Sequence, residues 1–195
     1  MKILLVAATK HEIESFVVHH GLTPGQYKTV GNHLVSVLIT GAGLLHTAFA
    51  LQAEINRERP DFILNAGVAG SFDNQLEIES IVWVKKEFPG DFGALSPEGF
   101  LPAAGIGLLQ ADIFPFTEGG IVAQTPFFNI SGVTQVQSIT VQQVTGTIES
   151  IRTMRETWPQ AQIENMEGLA VFYVASMLNI PFAEIRSISN RVEPR

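Results

Sequence analysis

The chain has 195 residues, no cysteine and a formal net charge of −7, with 46% hydrophobic and 16% charged residues. This length predicts one domain, and the lack of cysteine excludes disulfide frameworks and thiolate metal sites. The longest basic run is Lys85-Lys86, so a positively charged nucleic-acid surface is not expected. The apolar excess is typical of a buried sheet, an oligomer interface or both.

In chain order, apolar runs of strand length alternate with longer periodic segments that are typical of helices. They predict a strand over 2–8, a helix from a Thr9 cap to His20, strands over 26–29 and 33–40, a helix over 44–56, and strands over 61–66 and 78–85. Residues 87–116 predict loops with a short helix, followed by strands over 120–123 and 138–144, helices over 149–156 and 166–178, and a strand over 182–188. This order predicts an α/β fold, a three-layer α/β/α sandwich around a central sheet.

The N-terminal segment 1–8 is too short for a secretory signal and lacks a cleavage region. No apolar run approaches the roughly 20 residues of a membrane helix. We therefore expect a cytoplasmic protein that does not span a membrane.

Two glycine-rich segments follow predicted strands. Gly41–His46 matches a dinucleotide-binding fingerprint except that His46 replaces the third glycine. Its backbone N–H groups either cradle an anion or belong to a tight strand-to-helix turn. The second segment, Asn65–Ser71, contains a predicted loop of small residues over Gly67–Ser71, which either lets a ligand approach the backbone closely or forms an ordinary turn. The P-loop sequence does not occur, which excludes a P-loop nucleotidase.

The pattern of histidines and acidic residues does not predict a metal site. All five histidines lie within the first 46 residues without the H-E-x-x-H spacing, and no acidic cluster completes a ligand set. A G-x-S-x-G elbow is also missing, so a Ser-His-Asp hydrolase has no starting point. We expect neither a metal nor an organic cofactor.

Two glutamates and one strand end are the candidates for a small-molecule site. Glu167 falls inside the apolar helix predicted over 166–178, where an unpaired carboxylate would cost several kcal/mol. It therefore has either a task or a structural partner, for which Arg186 is the candidate. Glu12 lies at the start of the first helix, where the helix dipole alone would explain a carboxylate. Ser189 and Asn190 follow a predicted strand, at the edge where open α/β sheets hold ligands.

Four segments, in order and at matching spacing, resemble the purine nucleoside phosphorylase and nucleosidase superfamily. They are Ala8–Ile13, Asn65–Gly70, Asn165-Met166-Glu167 and Arg186–Asn190. Within it the chain resembles the futalosine hydrolases more than the methylthioadenosine/S-adenosylhomocysteine nucleosidases, on Asp91–Ala94 with Gly99-Phe100, Val141–Gly146 and Arg186–Arg195. The resemblance implies one nucleoside phosphorylase-like domain over 1–195 with a mixed, mostly parallel sheet. It also implies that a C-terminal helix of the family is lacking.

The resemblance further implies hydrolysis of an N-glycosidic bond without a cofactor, through an oxocarbenium-like transition state. Glu12 would activate the attacking water, and Asn190 would engage the purine. The other residues implied in substrate binding are Met166, Glu167, Gly67, Ala69, Gly70, Ser189 and Arg186, of which Arg186 would brace the site by pairing with a carboxylate.

Asn190 stands where the adenosine-cleaving relatives carry Asp. Adenine offers an amino group that a carboxylate can accept, and an acidic Asp can protonate N7 of the leaving base. Hypoxanthine offers a carbonyl, to which an Asn amide can donate. This predicts a 6-oxopurine nucleoside. The resemblance to the futalosine hydrolases implies that the nucleoside is futalosine, cleaved to hypoxanthine in menaquinone biosynthesis. The base would then leave as an anion or take its proton from water.

Three alternatives remain at this stage. A methylthioadenosine/S-adenosylhomocysteine nucleosidase is disfavoured by Asn190. A purine nucleoside phosphorylase would need a cationic phosphate pocket, and neither 41–46 nor 67–71 contains Arg or Lys. A non-catalytic nucleoside-binding domain is disfavoured by Glu12. In each case we expect a purine nucleoside as the ligand and a homodimer or larger homo-oligomer.

Overall fold

The computed structural model describes residues 1–97, 99–125 and 131–195. In these ranges the helices are α1 (Lys10–His20), α2 (Leu44–Arg57), α3 (Ile148–Thr157) and α4 (Gly168–Met177). The strands are β1 (Lys2–Ala7), β2 (Lys28–Val30), β3 (His33–Ile39), β4 (Phe62–Ser71), β5 (Ile81–Pro89), β6 (Gly93–Ser96), β7 (Gly99–Pro102), β8 (Ile121–Val122), β9 (Thr134–Thr140), β10 (Ile163–Asn165) and β11 (Phe182–Arg191). Among the described residues, no helix has the length and apolar character needed to cross a membrane.

The central sheet has the strand order β10-β9-β5-β11-β4-β1-β3-β2, with β8 paired to β5. Parallel ladders join β1 to β3 and β4, β4 to β11, and β9 to β5 and β10. Strand β10 also pairs with β4, so β4, β11, β5, β9 and β10 close into a ring. Strands β6 and β7 form a separate hairpin. The expected mixed, mostly parallel sheet is confirmed.

Helices cover both faces of this sheet, as the alternating side chains of β1 show. Leu4 packs in the same core as Leu51 of α2, which lies beside α4. Leu5 points the opposite way and packs in a second core with Ile13 of α1. Because successive strand residues face opposite sides, these two cores lie on opposite faces of the sheet. The predicted three-layer α/β/α arrangement is therefore confirmed.

Helix α1 has the bounds that the sequence predicts. Thr9 is its N-cap in an extended conformation and forms a capping box with Glu12, while Gly21 ends it in the left-handed region at φ 57°. These are the residue types that satisfy the free N–H and C=O groups at helix ends.

The predicted loop at Gly67–Ser71 is wrong, because β4 continues through Ser71 and pairs there with β11. Gly67 serves close packing rather than a turn. A Cβ at this position would collide with Nη1 of Arg186 and lie 2.6 Å from Oε1 of Glu12. Ser189 and Asn190 likewise lie within β11 rather than beyond it, next to a bulge between Ile188 and Asn190.

The predicted position of Glu167 inside a helix is also wrong, because α4 begins at Gly168 and Glu167 is its N-cap. Asn165 fixes this start, since its Oδ1 accepts hydrogen bonds from the backbone N–H groups of Glu167 (2.9 Å) and Gly168 (2.7 Å). Oγ1 of Thr140 accepts the next N–H, from Leu169, at 2.8 Å. The first N–H groups of α4 are therefore satisfied by side chains.

Two smaller differences concern regions of weak periodicity. Strand β5 extends to Pro89, and the described residues between it and Phe116 contain the β6–β7 hairpin and turns rather than the short helix that was predicted. Strand β10 was not predicted, because three residues are too few to show a periodic pattern.

Candidate active site

A cavity of about 210 Å³ lies where β4, β10 and β11 meet the residues that follow β1. Its lining residues are Ala8, Thr9, Glu12, Ala42, Val68, Ala69, Gly70, Val141, Val144, Glu164, Asn165, Met166, Glu167, Ser189, Asn190 and Arg195. Residues from both ends of the chain thus meet at one site. The site is concave, as ligand-binding sites generally are.

Glu12 belongs both to the cap of α1 and to the cavity wall. Its Oε2 accepts hydrogen bonds from the backbone N–H (2.7 Å) and the hydroxyl (3.0 Å) of Thr9. Its Oε1 accepts one from the backbone N–H of Val68 on β4, at 3.2 Å. The helix-start explanation is therefore correct but incomplete, since the same capping contacts hold the carboxylate against β4 and facing the cavity.

Glu167 lines the same cavity and is buried, at 6% exposure. Its Oε1 accepts a hydrogen bond from the backbone N–H of Gly43 at 3.0 Å, and its Oε2 lies 3.8 Å from Nη1 of Arg186. Burial raises the pKa of Glu167, and the Arg186 charge partly offsets that effect. The Gly41–His46 segment is thus a strand-to-helix connection whose N–H group binds an anion, and the anion is a carboxylate of the protein itself.

Arg186 lies beneath the cavity and is fully buried. Its Nε donates to Oε1 of Glu184 at 2.7 Å, and its Nη2 donates to Oδ1 of Asn165 at 3.2 Å. The expected pairing of Arg186 with a carboxylate is observed, but the short partner is Glu184 rather than Glu167. Since Asn165 also caps α4, Arg186 connects the carboxylate of Glu167 to the helix start.

A third carboxyl, Glu87, completes this buried cluster. Its Oε1 accepts from Nδ2 of Asn165 (2.6 Å) and its Oε2 accepts from Oγ1 of Thr140 (2.7 Å). Burial first, and the charge of Glu184 second, raise the pKa of Glu87 well above its ordinary value. One guanidinium cannot balance three buried carboxylates, and burial together with the charge of Glu184 favours the neutral form of Glu87.

The hydrogen-bonding groups of Ser189 and Asn190 are satisfied locally. Oγ of Ser189 donates to the carbonyl of Ala69 at 3.2 Å and lies 2.8 Å from Oδ1 of Asn190. Nδ2 of Asn190 donates to the carbonyl of Arg191 at 2.8 Å. Both side chains are exposed at the cavity, so a ligand can exchange these bonds for its own.

Seven of the nine residues singled out from the sequence line the cavity: Glu12, Ala69, Gly70, Met166, Glu167, Ser189 and Asn190. Gly67 and Arg186 do not line the cavity but lie behind it, where the side chains of Arg186 and Glu12 pack against the backbone of Gly67. Sequence reasoning missed Glu164 and Asn165. Glu164 stands between Ile163 and the polar Asn165, so the sequence around it gave no comparable signal.

The chain belongs to the phosphorylase superfamily, whose family model matches residues 2–195. The futalosine hydrolase of Streptomyces coelicolor is 32% identical over 135 residues, which make up 69% of this chain and 56% of that protein. The futalosine hydrolase of Acidothermus cellulolyticus is 29% identical over 204 residues, which cover 100% of this chain and 82% of that protein.

The chain is also similar to the 5′-methylthioadenosine/S-adenosylhomocysteine nucleosidase of Colwellia psychrerythraea, at 30% identity over 187 residues covering 88% of this chain and 72% of that protein. A structure of such a nucleosidase from that organism, in complex with adenine, superimposes with a TM-score of 0.77 at 20% identity. It covers 99% of this chain and 84% of the other. This likeness shows that the two proteins share a fold.

Proposed function

We propose that this protein hydrolyses the N-glycosidic bond of a 6-oxopurine nucleoside, with futalosine as the substrate and hypoxanthine and dehypoxanthine futalosine as the products. The observation that carries the proposal is the placement of Glu12, Glu167 and Asn190 in the lining of one cavity. The similarity to two futalosine hydrolases supports the choice of substrate, and with it a role in menaquinone biosynthesis.

Glu12 is the general base of this reaction. Hydrogen bonds from Thr9 and Val68 fix its carboxylate at the cavity wall, so that it can orient a water molecule and accept its proton as the water attacks C1′ of the ribose. Fixing the base in advance avoids reorganisation during the reaction, which is the main advantage of a preorganised site.

Glu167 binds the ribose, and its hydrogen-bonded neighbours prepare it for this role. A carboxylate accepts hydrogen bonds from two vicinal hydroxyl groups, and Gly43 and Arg186 stabilise the ionised form that this requires. Met166 lines the same cavity, where it packs against the sugar. The small residues Ala69 and Gly70 leave room for the nucleoside, and Gly67 lets Glu12 approach β4.

Asn190 and Ser189 recognise the purine. Nδ2 of Asn190 donates to the C6 carbonyl of a 6-oxopurine. An ionised Asp at this position could not donate, because its carboxylate and the C6 carbonyl are both acceptors. Val141 and Val144 line the cavity as apolar groups that can flank the base. This arrangement favours futalosine over methylthioadenosine, although the similarity to the Colwellia nucleosidase keeps the adenine-releasing reaction as the second candidate.

Hydrolysis is favoured over phosphorolysis by the charges at the cavity. Among the described lining residues, the cationic side chain is Arg195, which lies against Gly146. Arg186 does not line the cavity, and its guanidinium is bound to Glu184 and Asn165. A phosphate nucleophile beside Glu12 would therefore face the carboxylates of Glu12 and Glu167, with Arg195 as the cationic side chain among the described lining residues.

A Glu12→Gln variant tests this assignment. Gln keeps the shape of Glu12 but cannot accept the proton from water, so release of hypoxanthine from futalosine should fall by about 10²–10⁴-fold. Glu14→Gln is the matched control, because Glu14 lies on the same helix and contacts Lys10 and His11 near the surface. Equal activity of both variants and the unchanged protein would refute the role of Glu12.

We also propose that the protein is a cytoplasmic homo-oligomer. Helices α2 and α4 pack side by side and expose apolar side chains one turn apart, Leu45 with Phe49 and Tyr173 with Met177. Such a patch is typical of a protein interface. Light scattering should give a molar mass of at least twice the 21.2 kDa of the chain, and the Phe49→Glu substitution should lower this mass. A monomeric mass for the unchanged protein would contradict the proposal.

A further inference from the structure

Glu164 is a carboxyl group in the cavity wall to which the reaction described above assigns no task. It lies in β10 with 5% exposure. Its Oε1 accepts a hydrogen bond from the backbone N–H of Thr145 at 3.1 Å, and its Oε2 accepts one from the Thr145 hydroxyl. These contacts fix the carboxyl at the cavity and leave lone pairs free for a ligand.

Glu164 and Asn190 face each other across Gly70. In the sheet, Gly70 on β4 pairs with Glu164 of β10 on one side and with Asn190 of β11 on the other. A Cβ placed on Gly70 would lie 3.3 Å from Nδ2 of Asn190 and 3.5 Å from Cγ of Glu164. Both side chains therefore stand on the same face of the sheet, with an open gap between them where Gly70 has no side chain.

A proton donor beside Asn190 would make departure of the purine easier. When the bond between C1′ and the purine breaks, the electron pair passes to the base, which leaves more easily if a ring nitrogen is protonated at the same time. The amide of Asn190 donates a hydrogen bond but cannot release a proton. A neighbouring carboxyl that is neutral near the working pH can.

We propose that Glu164 is the general acid that protonates the leaving purine. The proposal rests on the proposed function, since it presupposes that a purine occupies the cavity. The carboxyl proton moves from Glu164 to a ring nitrogen, the C1′–N bond breaks with its electrons going to the base, and the water oxygen bonds to C1′ while its proton goes to Glu12. Solvent then returns a proton to Glu164 and removes one from Glu12, so the cycle balances.

The surroundings of Glu164 fit an acid that is protonated before the reaction. Burial raises its pKa, and this effect exceeds the opposing hydrogen bonds from Thr145. Arg195 lowers the pKa and Asp91 raises it, each by less than burial does. Glu12 and Glu167 line the same cavity, and their negative charges would disfavour a further carboxylate.

A Glu164→Gln variant tests the proposal, because Gln keeps the shape and an acceptor for Thr145 but has no acidic proton. With the hypoxanthine nucleoside, kcat/KM should fall by about 100-fold or more. With p-nitrophenyl ribofuranoside, whose leaving group departs as an anion, the variant should match the unchanged protein. That result would also show that the variant is folded and that Glu12 and Glu167 still function.

The pH profile is a second readout and needs only the natural nucleoside. An acid catalyst must be protonated, so activity of the unchanged protein should decline as the pH rises through the pKa of Glu164. The variant should lack this decline. Two outcomes would overturn the role of Glu164 while leaving the nucleosidase function in place. The variant could lose activity on both substrates to the same extent, or it could keep the activity and the pH profile of the unchanged protein. An unchanged protein that releases no base from any nucleoside would overturn both proposals.

Discussion

Replacement of Arg186 by Met should destabilise the protein strongly. Arg186 and Glu184 are 1% and 0% exposed, and their ion pair measures 2.7 Å. Removing one partner of a buried pair leaves an uncompensated charge and typically costs about 3–5 kcal/mol. Here the substitution leaves Glu184 and Glu167 unpaired and removes a donor to Asn165. For a chain of this length, that loss corresponds to a decrease in Tm of roughly 6–20 °C.

Urea unfolding followed by tryptophan fluorescence measures the effect, since Trp83 and Trp158 are both buried. Arg152→Met is the matched control, because the Arg152–Glu156 contact of 4.0 Å lies at the surface, where such pairs contribute little. Burial already raises the pKa of Glu167, and loss of Arg186 removes the charge that partly offsets this effect, so Glu167 would take up a proton more readily in the folded variant. The destabilisation should therefore be smaller near about pH 5 than near about pH 8. A loss below about 1 kcal/mol, equal in the two variants, would refute the reasoning.

Three further predictions concern the buried cluster and the cavity. Glu87→Gln should fold normally and flatten the pH dependence of stability, because Gln resembles the protonated carboxyl. In the unchanged protein the contribution of Glu87 is complete below its ordinary pKa of 4.5 and declines as the pH rises towards its raised folded value; parallel urea-derived pH curves for the two proteins would contradict this. Gly67→Ala should displace Glu12 and Arg186 and cost about 1–3 kcal/mol in urea unfolding, together with activity; wild-type stability and turnover would contradict it. Asn190→Asp should shift base release from hypoxanthine towards adenine, measured by chromatography with futalosine and methylthioadenosine, and an unchanged preference would show that residue 190 does not select the base.

Local sequence signals predicted the elements whose ends are decided by their own residues. The Thr9–Glu12 capping box and Gly21 determine α1 without help from the rest of the chain. The continuous apolar run of β1 indicated a strand that is buried on both faces, as the two cores confirm.

Elements decided by distant contacts could not be predicted in this way. Glycine disfavours strands, so Gly67–Ser71 suggested a loop, whereas the approach of Arg186 and Glu12 requires glycine within a strand. The start of α4 depends on Asn165, whose side chain accepts the N–H groups of Glu167 and Gly168. Tertiary contacts overrode local propensity in both cases.

Part of the candidate site could be predicted from the sequence. Glu167 stood out as a carboxylate in an apolar stretch, Asn190 followed a predicted strand, and the family resemblance indicated both of these and Glu12. The three residues meet at one cavity. Glu164 was missed because its role depends on its position across Gly70 from Asn190, which only the β10–β4–β11 pairing reveals.

The most direct test of the central claim is to identify the products from futalosine, inosine, methylthioadenosine and S-adenosylhomocysteine, with and without phosphate. We expect hypoxanthine from futalosine at the same rate under both conditions, together with a free sugar product rather than its 1-phosphate. Adenine from methylthioadenosine as the main product, a requirement for phosphate, or no base from any of the four would contradict hydrolysis of a 6-oxopurine nucleoside.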